Sequence, residues 1–353
     1  MKNKIKIICT LGPTSFKRNI LKKLKQQNVD IFRINLSHTK KNKIKSRILY
    51  LKKNNIKNIC IDSEGAQIRT TMCEKKYFLK EKQIIKIFND NKLSNSKNIS
   101  MYPSFNLFSI KINTKIFIGF NDLCLQVTKI KKKDNCLICK VIKSGFLESN
   151  KGVHINLNIK LPALTDKDIY GFQLARKYNI NYFAISFVNS HKDIEEVKKI
   201  VGSKAFIISK IETKNSLSNL LKISQTSNAL LIDRGDLSRY IPIEQIPIAQ
   251  EQVIKFNNKI NKPTYVATNL LETMINEALP TRAESHDIYA TLKQGAKGLV
   301  LAAETAIGKD PVGCIKFLKK SINSFYNKKI SYIGKWISKP FQFTNSICNC
   351  FRI

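Results

Sequence analysis

The chain has 353 residues, 43% apolar and 25% charged, which is an ordinary globular composition and long enough for two domains or for one large α/β barrel with an insertion. Its 62 Lys and Arg against 25 Asp and Glu give a formal charge of +37, but only nine of the basic residues are arginine and the lysines are spread along the whole chain. This pattern argues against a specific nucleic-acid binder, which would cluster its basic groups and favour arginine, while leaving a field that attracts anionic metabolites.

The N-terminal stretch MKNKIKIICTLGP is too short and too interrupted by lysine for a signal peptide and reads as a first core strand. No later segment approaches the ~20 apolar residues that span a bilayer. From there, β-rich apolar runs alternate with helical patterns. The predicted strands are Ile5–Cys9, Val29–Ile34, Ile56–Ile61, Tyr182–Ser186, Phe206–Ser209, Leu230–Ile232, Thr264–Ala267 and Leu299–Ala302. The predicted helices are Lys17–Gln27, Lys41–Lys53, Lys167–Tyr178, His191–Val201, Ser216–Ser224, Glu244–Lys259, Ala283–Lys293 and Pro311–Phe325. Asp166, Ser190 and Asn215 read as helix starts, and Pro311 sits early in its helix. Eight strand–helix units point to a (β/α)₈ TIM barrel, although a doubly wound open sheet has the same local pattern.

The third unit is interrupted. Between about residues 70 and 158 short alternating runs replace helices: Gln83–Phe88, Lys115–Ile118, Leu123–Ile130 and Leu137–Ile142. They predict a small inserted β-barrel domain, placed as a lid over the barrel mouth. Cys136 and Cys139 form a CxxC here, and the one other close pair is Cys348 and Cys350. A three-residue separation on a strand turns the two thiols to opposite faces, so plain strand or loop cysteines are expected rather than zinc. Nine scattered cysteines, an odd number, fit a reducing, cytoplasmic setting better than a disulfide framework. The division is therefore 1–69 and 159–325 for the catalytic barrel, 70–158 for the lid, and 326–353 for a basic tail containing Trp336.

Active sites of such barrels lie at the C-terminal ends of the strands. Here those ends carry Arg33-Ile34-Asn35-Leu36-Ser37-His38, Asp62-Ser63-Glu64-Gly65, Lys210-Ile211-Glu212, Asp233-Arg234-Gly235-Asp236, Thr268-Asn269 and Glu304-Thr305. Glu212 and Asp236 are hard oxygen ligands suited to Mg²⁺, Lys210 and Arg33 bring positive charge beside it, and Gly235 allows close backbone approach to a ligand. Each has an ordinary reading as well, since strand-end carboxylates often cap helices and lysine is abundant in this chain. Their convergence on one rim indicates a phosphate and divalent-metal site.

The stretches KIICTLGPTS, FRINLSH, IDSEGAQIRT, LPALTDKD, SKIET, PTRAESHDI and AAETAIGKDPV together make residues 4 to 325 resemble the pyruvate kinase family. The resemblance implies the barrel with a β lid and conversion of phosphoenolpyruvate and ADP to pyruvate and ATP, the last step of glycolysis. It implies Lys210, Arg33 and Thr268 as catalytic residues, with Gly235 and Asp236 joining them in substrate binding. It implies Glu212 and Asp236 as ligands of Mg²⁺ or Mn²⁺, and Asn35, Ser37, Asp62 and Ser63 as ligands of K⁺. Arg69, Lys151, Asn35 and His38 are then the nucleotide contacts. The expected partners are the two substrates and a second copy of the chain through the barrel, with no specific nucleic acid and no membrane. The family's C-terminal regulatory domain is expected to be missing.

The sequence departs from the family pattern in places. Lys-Gly-Pro-Glu becomes Glu64-Gly65-Ala66-Gln67, reversing a charge near the nucleotide phosphates and neutralising a position tied to potassium dependence. Asp233 stands where alanine is usual and adds a carboxylate near the metal; Asn269, Ala302 and Ala303 replace glutamine, serine and glycine. Because fold does not fix function, a barrel turned into a ligand-binding or interaction protein is the alternative to an active kinase at this point.

Overall fold

The computed structural model describes residues 5–327 except 66, 120, 121, 156, 158 and 160. Eight parallel strands close into a barrel: β1 (Lys6–Leu11), β2 (Ile31–Asn35), β3 (Ile59–Asp62), β4 (Tyr182–Ile185), β5 (Phe206–Ile211), β6 (Ala229–Asp233), β7 (Thr264–Ala267) and β8 (Gly298–Leu301). Each pairs with its sequence neighbours, and β1 with β8 completes the ring. The open-sheet alternative is thereby excluded. Alternation along each strand divides the core in two. Ile8, Ile31, Cys60, Ala184, Ile208, Leu231, Tyr265 and Val300 fill the barrel interior, while Ile7, Cys9, Ile61, Phe183, Ile207, Leu230 and Leu299 face the helices outside. The Tyr265 ring fits because Gly298 faces it: a Cβ there would lie 2.6 Å from Tyr265 Cδ1.

Helix starts follow reciprocal capping. Thr165, not Asp166, caps the helix Asp166–Lys177, because its hydroxyl takes the Asp168 N–H while the Asp168 carboxylate takes the Thr165 N–H at 3.1 Å. Thr213, not Asn215, caps Lys214–Ser218 through Ser216. Ser190 caps His191–Val201, as the sequence reads. The single helix expected over Ser216–Ser224 is two, Lys214–Ser218 and Leu220–Thr226, parted at Asn219, whose side-chain amide donates to Asn189 O at 2.9 Å. The last described helix is Pro311–Asn327. Trp336, Cys348, Cys350 and nearly all of the expected tail lie outside the described residues.

Between β3 and Asp166–Lys177 the chain builds a separate β structure with its own core around Ile85, Ile99, Ile116, Leu125, Leu137 and Val141. Its seven strands run in the order Val153–Ile155, Lys115–Ile118, Leu123–Lys131, Cys136–Lys143, Ile84–Phe88, Asn98–Tyr102 and Arg69–Thr70. An antiparallel bridge from Arg69 to Gly152 draws the two ends together, so the sheet is nearly closed. Strand Asn98–Tyr102 and the short pieces near the rim carry no long apolar alternation, which is why four runs were legible where the sheet has seven. Cys136 and Cys139 are both fully buried on one strand, and Cys139 packs into this core. Among the described residues no helix is long and apolar enough to cross a membrane.

Candidate active site

The polar residues of the rim converge where β2, β3, β5 and β6 end. Lys210, on β5, is 5% exposed. Its ammonium donates to Ser186 Oγ at 3.1 Å and meets Glu212 Oε1 at 2.7 Å, Asp233 Oδ2 at 3.3 Å and Asp62 Oδ1 at 3.9 Å. Burial would depress its pKa, but the carboxylates of Asp62, Glu212, Asp233 and Asp236 outweigh that and hold it well above the ordinary range, so the lysine is charged. Arg33 at the end of β2 is fixed from two sides: Nε donates to Thr10 Oγ1 at 2.8 Å and Nη1 to Asp62 Oδ2 at 3.0 Å. Both cations are therefore anchored, pointing into a site of low effective dielectric.

The carboxylates are more crowded than the cations. Glu212 is fully buried; its Oε2 accepts the Phe187 N–H at 2.6 Å, while Oε1 is ion-paired with the Lys210 ammonium at 2.7 Å. Burial pushes its pKa up to about 8, the Asp236 and Asp233 charges add to that, and Lys210 opposes it. Asp236 is likewise raised, by burial and then by Asp233, against Lys210, Arg239 and Arg69. Asp233 goes the other way. Burial is overcome by Lys210, by the hydrogen bond from Thr268 and by Arg33, so it stays ionised. Oxygens of Glu212, Asp233 and Asp236 all lie within 4.8 Å of one another. A divalent cation fits this set: the donors are hard, and three carboxylates share one lysine ammonium.

The wall beside these carboxylates is built by close approach. Thr268 follows β7 with φ of 78°, and its Oγ1 donates to Asp233 Oδ1 at 2.6 Å. Its carbonyl receives Arg234 Nε at 3.0 Å, and Arg234 is itself held by both Asp287 oxygens at 2.9 and 2.8 Å. A Cβ on Gly235 would lie 2.9 Å from Thr268 Cγ2, so only glycine lets these two segments touch.

At the neighbouring corner, Asp62 Oδ1 is buried without a hydrogen bond. Asn35 Oδ1 accepts the Ser37 N–H at 2.8 Å, and Ser63 accepts two hydrogen bonds from Ser186, from its N–H to Oγ at 2.9 Å and from its hydroxyl to the carbonyl oxygen at 2.7 Å. Arg69 lies close enough to influence Asp236 and the His38 imidazole, and its Nη1 donates to Asn150 O at 3.2 Å. Lys151 is not drawn into this group; it pairs with Glu148 at 2.6 Å on the inserted sheet and is 45% exposed. That sheet meets the barrel mouth beside Asp236. The His154 ring packs edge-on against Tyr240 at 4.8 Å, and a Cβ on Gly152 would come within 2.4 Å of Arg239 Nη1.

Glu64, which reverses a charge of the family pattern, does not stand unpaired. Lys167 pairs with it and Thr165 Oγ1 donates to it at 3.1 Å, so most of that charge is spent on the start of the helix Asp166–Lys177. Three carboxylates, those of Glu212, Asp233 and Asp236, come together on this rim. Sequence reading also missed Ser186 and Phe187 after β4, which link Ser63, Lys210 and Glu212. The signal was available: the fourth run ends in a serine at the same rim height as the others. The Arg234–Asp287 pair carried no signal, because 53 positions separate its members.

The fold and this rim define a parallel (β/α)₈ barrel with an inserted β unit and a cluster of buried acidic and basic side chains at the strand ends. Residues 2–315 match the family described as "Pyruvate kinase, barrel domain". The chain is 35% identical over 326 residues to pyruvate kinase of Thermotoga maritima, covering 89% of this chain and 69% of that protein. It is 32% identical over 331 residues to plastidial pyruvate kinase 3, chloroplastic, of Arabidopsis thaliana, covering 90% and 57%. It is 31% identical over 328 residues to pyruvate kinase of Dictyostelium discoideum, covering 89% and 65%. The chain belongs to the pyruvate kinase family. It spans less than two thirds of the length of the Arabidopsis and Dictyostelium relatives.

Proposed function

We propose that this chain transfers the phosphoryl group of phosphoenolpyruvate to ADP, yielding pyruvate and ATP. The observation that supports this most is the buried, charged Lys210 among Glu212, Asp233 and Asp62 at the barrel mouth. In this reading the bond from phosphorus to the enol oxygen breaks as one to a β-phosphate oxygen of ADP forms. Lys210 neutralises charge that grows on the phosphoryl group in flight, and Arg33, already oriented by Thr10 and Asp62, binds the substrate phosphate. The backbone N–H groups of Gly235 and Asp236 receive the substrate carboxylate beside Thr268. The enolate left behind takes a proton at its methylene carbon, supplied through water and hydroxyls near Thr268.

Glu212 and Asp236 would hold Mg²⁺ or Mn²⁺, which supplies electrophilic charge beside the phosphoryl oxygens. Asn35, Ser37, Asp62 and Ser63 would hold K⁺, a role that the unbonded Asp62 Oδ1 suits. Arg69, His38 and Asn35 would take the nucleotide, joined by Lys151 once it leaves Glu148. Residues 1–69 and 159–325 act as the catalytic barrel in this reading, with 70–158 as its lid. The setting is a reducing compartment such as the cytosol, in keeping with the free cysteines Cys9, Cys60, Cys73, Cys124, Cys136, Cys139 and Cys314.

The test is pyruvate formation by the purified chain. Turnover is expected to require phosphoenolpyruvate, ADP and a divalent cation together. A folded chain that forms no pyruvate under these conditions overturns the proposal.

A further inference from the structure

Asp233 stands out among the rim residues because three neighbours use it at once. Oδ1 accepts the Thr268 hydroxyl at 2.6 Å, Oδ2 faces the Lys210 ammonium at 3.3 Å, and its carboxylate completes the triad with Glu212 and Asp236. A carboxylate offers about four lone-pair directions. One is spent on Thr268 and one on Lys210, which leaves Asp233 able to bind a cation without releasing either neighbour. The charges need one. Three carboxylates share the Lys210 ammonium, and Arg239 lies 3.5 Å from Asp236. Arg33 is already committed to Asp62. The fully buried Glu212 Oε1 has the Lys210 ammonium at 2.7 Å and no further donor, which leaves it a lone pair directed toward the same space.

We propose that Asp233 is a third protein ligand of the divalent cation, so that this chain holds the ion before any substrate arrives. The inference rests on the phosphoryl-transfer reading of the site but concerns a different residue and a different readout. With two carboxylates, a small hard cation completes its shell largely with water and substrate oxygens, so its affinity depends on the substrate. A third anionic oxygen shifts part of that affinity to the protein alone. It also gives Asp233 a second effect: with one oxygen on Thr268 and one toward the ion, it sets the distance between the metal and the hydroxyl beside the proton route.

The experiment is a Mn²⁺ titration of the full chain without substrate, with free Mn²⁺ read by electron paramagnetic resonance. Wild type, Asp233→Ala, Asp233→Asn and Glu212→Ala are compared, each checked for folding by circular dichroism. Asp233→Asn keeps nearly the same shape and an oxygen for Thr268, so it removes the charge alone and remains informative if the alanine variant does not fold. Both Asp233 variants are expected to weaken Mn²⁺ binding tenfold or more. If they bind within twofold of wild type while Glu212→Ala loses binding, Asp233 is not a ligand and the Glu212–Asp236 site stands. If Glu212→Ala also binds like wild type, the metal site and this inference fall together.

Discussion

At Thr268 the chain accepts strain in order to place a hydroxyl. A β-branched residue at φ of 78° costs on the order of 1–3 kcal/mol, and the position is held by Arg234 on its carbonyl and Asp233 on its hydroxyl. Thr268→Gly should relieve the backbone while losing one hydrogen bond of about 1 kcal/mol. The expected result is a thermal midpoint equal to or above that of wild type together with a large fall in kcat. A clear drop in the midpoint would show that Thr268 serves stability. Lys210 and Glu212 were legible because they close an apolar run, and Asp236 because it lies in the polar segment that follows the Leu230–Ile232 run; their convergence on one rim set them apart from ordinary helix caps. The pairing of Glu64 with Lys167 was not legible, since it depends on how the inserted sheet returns the chain to the barrel and not on local spacing.

The elements are positioned by caps as much as by apolar pattern. In the segment Pro280-Thr281-Arg282-Ala283-Glu284, the Glu284 carboxylate accepts the Thr281 N–H and the Thr273 N–H, both at 2.7 Å. It thereby starts the helix Arg282–Lys293 and ties it to the turn after β7. Partial burial raises its pKa, but these backbone donors outweigh that and leave it below the ordinary carboxylate value. A carboxyl whose pKa is lower in the folded state stabilises the fold above its unfolded pKa and loses that contribution as pH falls through the folded value. Glu284→Ala is thus expected to cost about 1–2 kcal/mol at pH 7 in urea unfolding. The gap to wild type should narrow below pH 4.5; a gap independent of pH would mean that packing, not the charged cap, is responsible. Eight strands and most helices were legible from periodicity alone. The capping residues were not always so, because Thr165 and Asp166 are equally good caps until the reciprocal bond from Asp168 selects the first.

For the molecule as a whole, closure of the barrel gathers side chains from β2 to β7 that lie far apart in sequence, and the surplus of lysine, spread along the chain, gives the molecule a positive field. Such a field makes every ionic ligand look salt-dependent, so monovalent-cation dependence has to be measured at fixed ionic strength. Initial rates are expected to be higher in KCl than in tetramethylammonium chloride of equal strength, because Asp62, Asn35, Ser37 and Ser63 keep oxygen donors and Gln67, buried and neutral, supplies no charge in place of the ion. Equal rates in the two salts would show that this corner does not bind potassium.

The central claim is that Lys210 carries phosphoryl transfer, and the most direct measurement compares steady-state kinetics of wild type and Lys210→Met with phosphoenolpyruvate and ADP. Methionine preserves the length and apolar stem of the side chain and removes the ammonium that Glu212, Asp233 and Ser186 hold in place. The expected result is a fall in kcat of ~10³ or more with a much smaller change in KM for phosphoenolpyruvate, since the charge acts mainly on the transition state. A variant that keeps most of its turnover, or one that loses affinity while kcat holds, would contradict it.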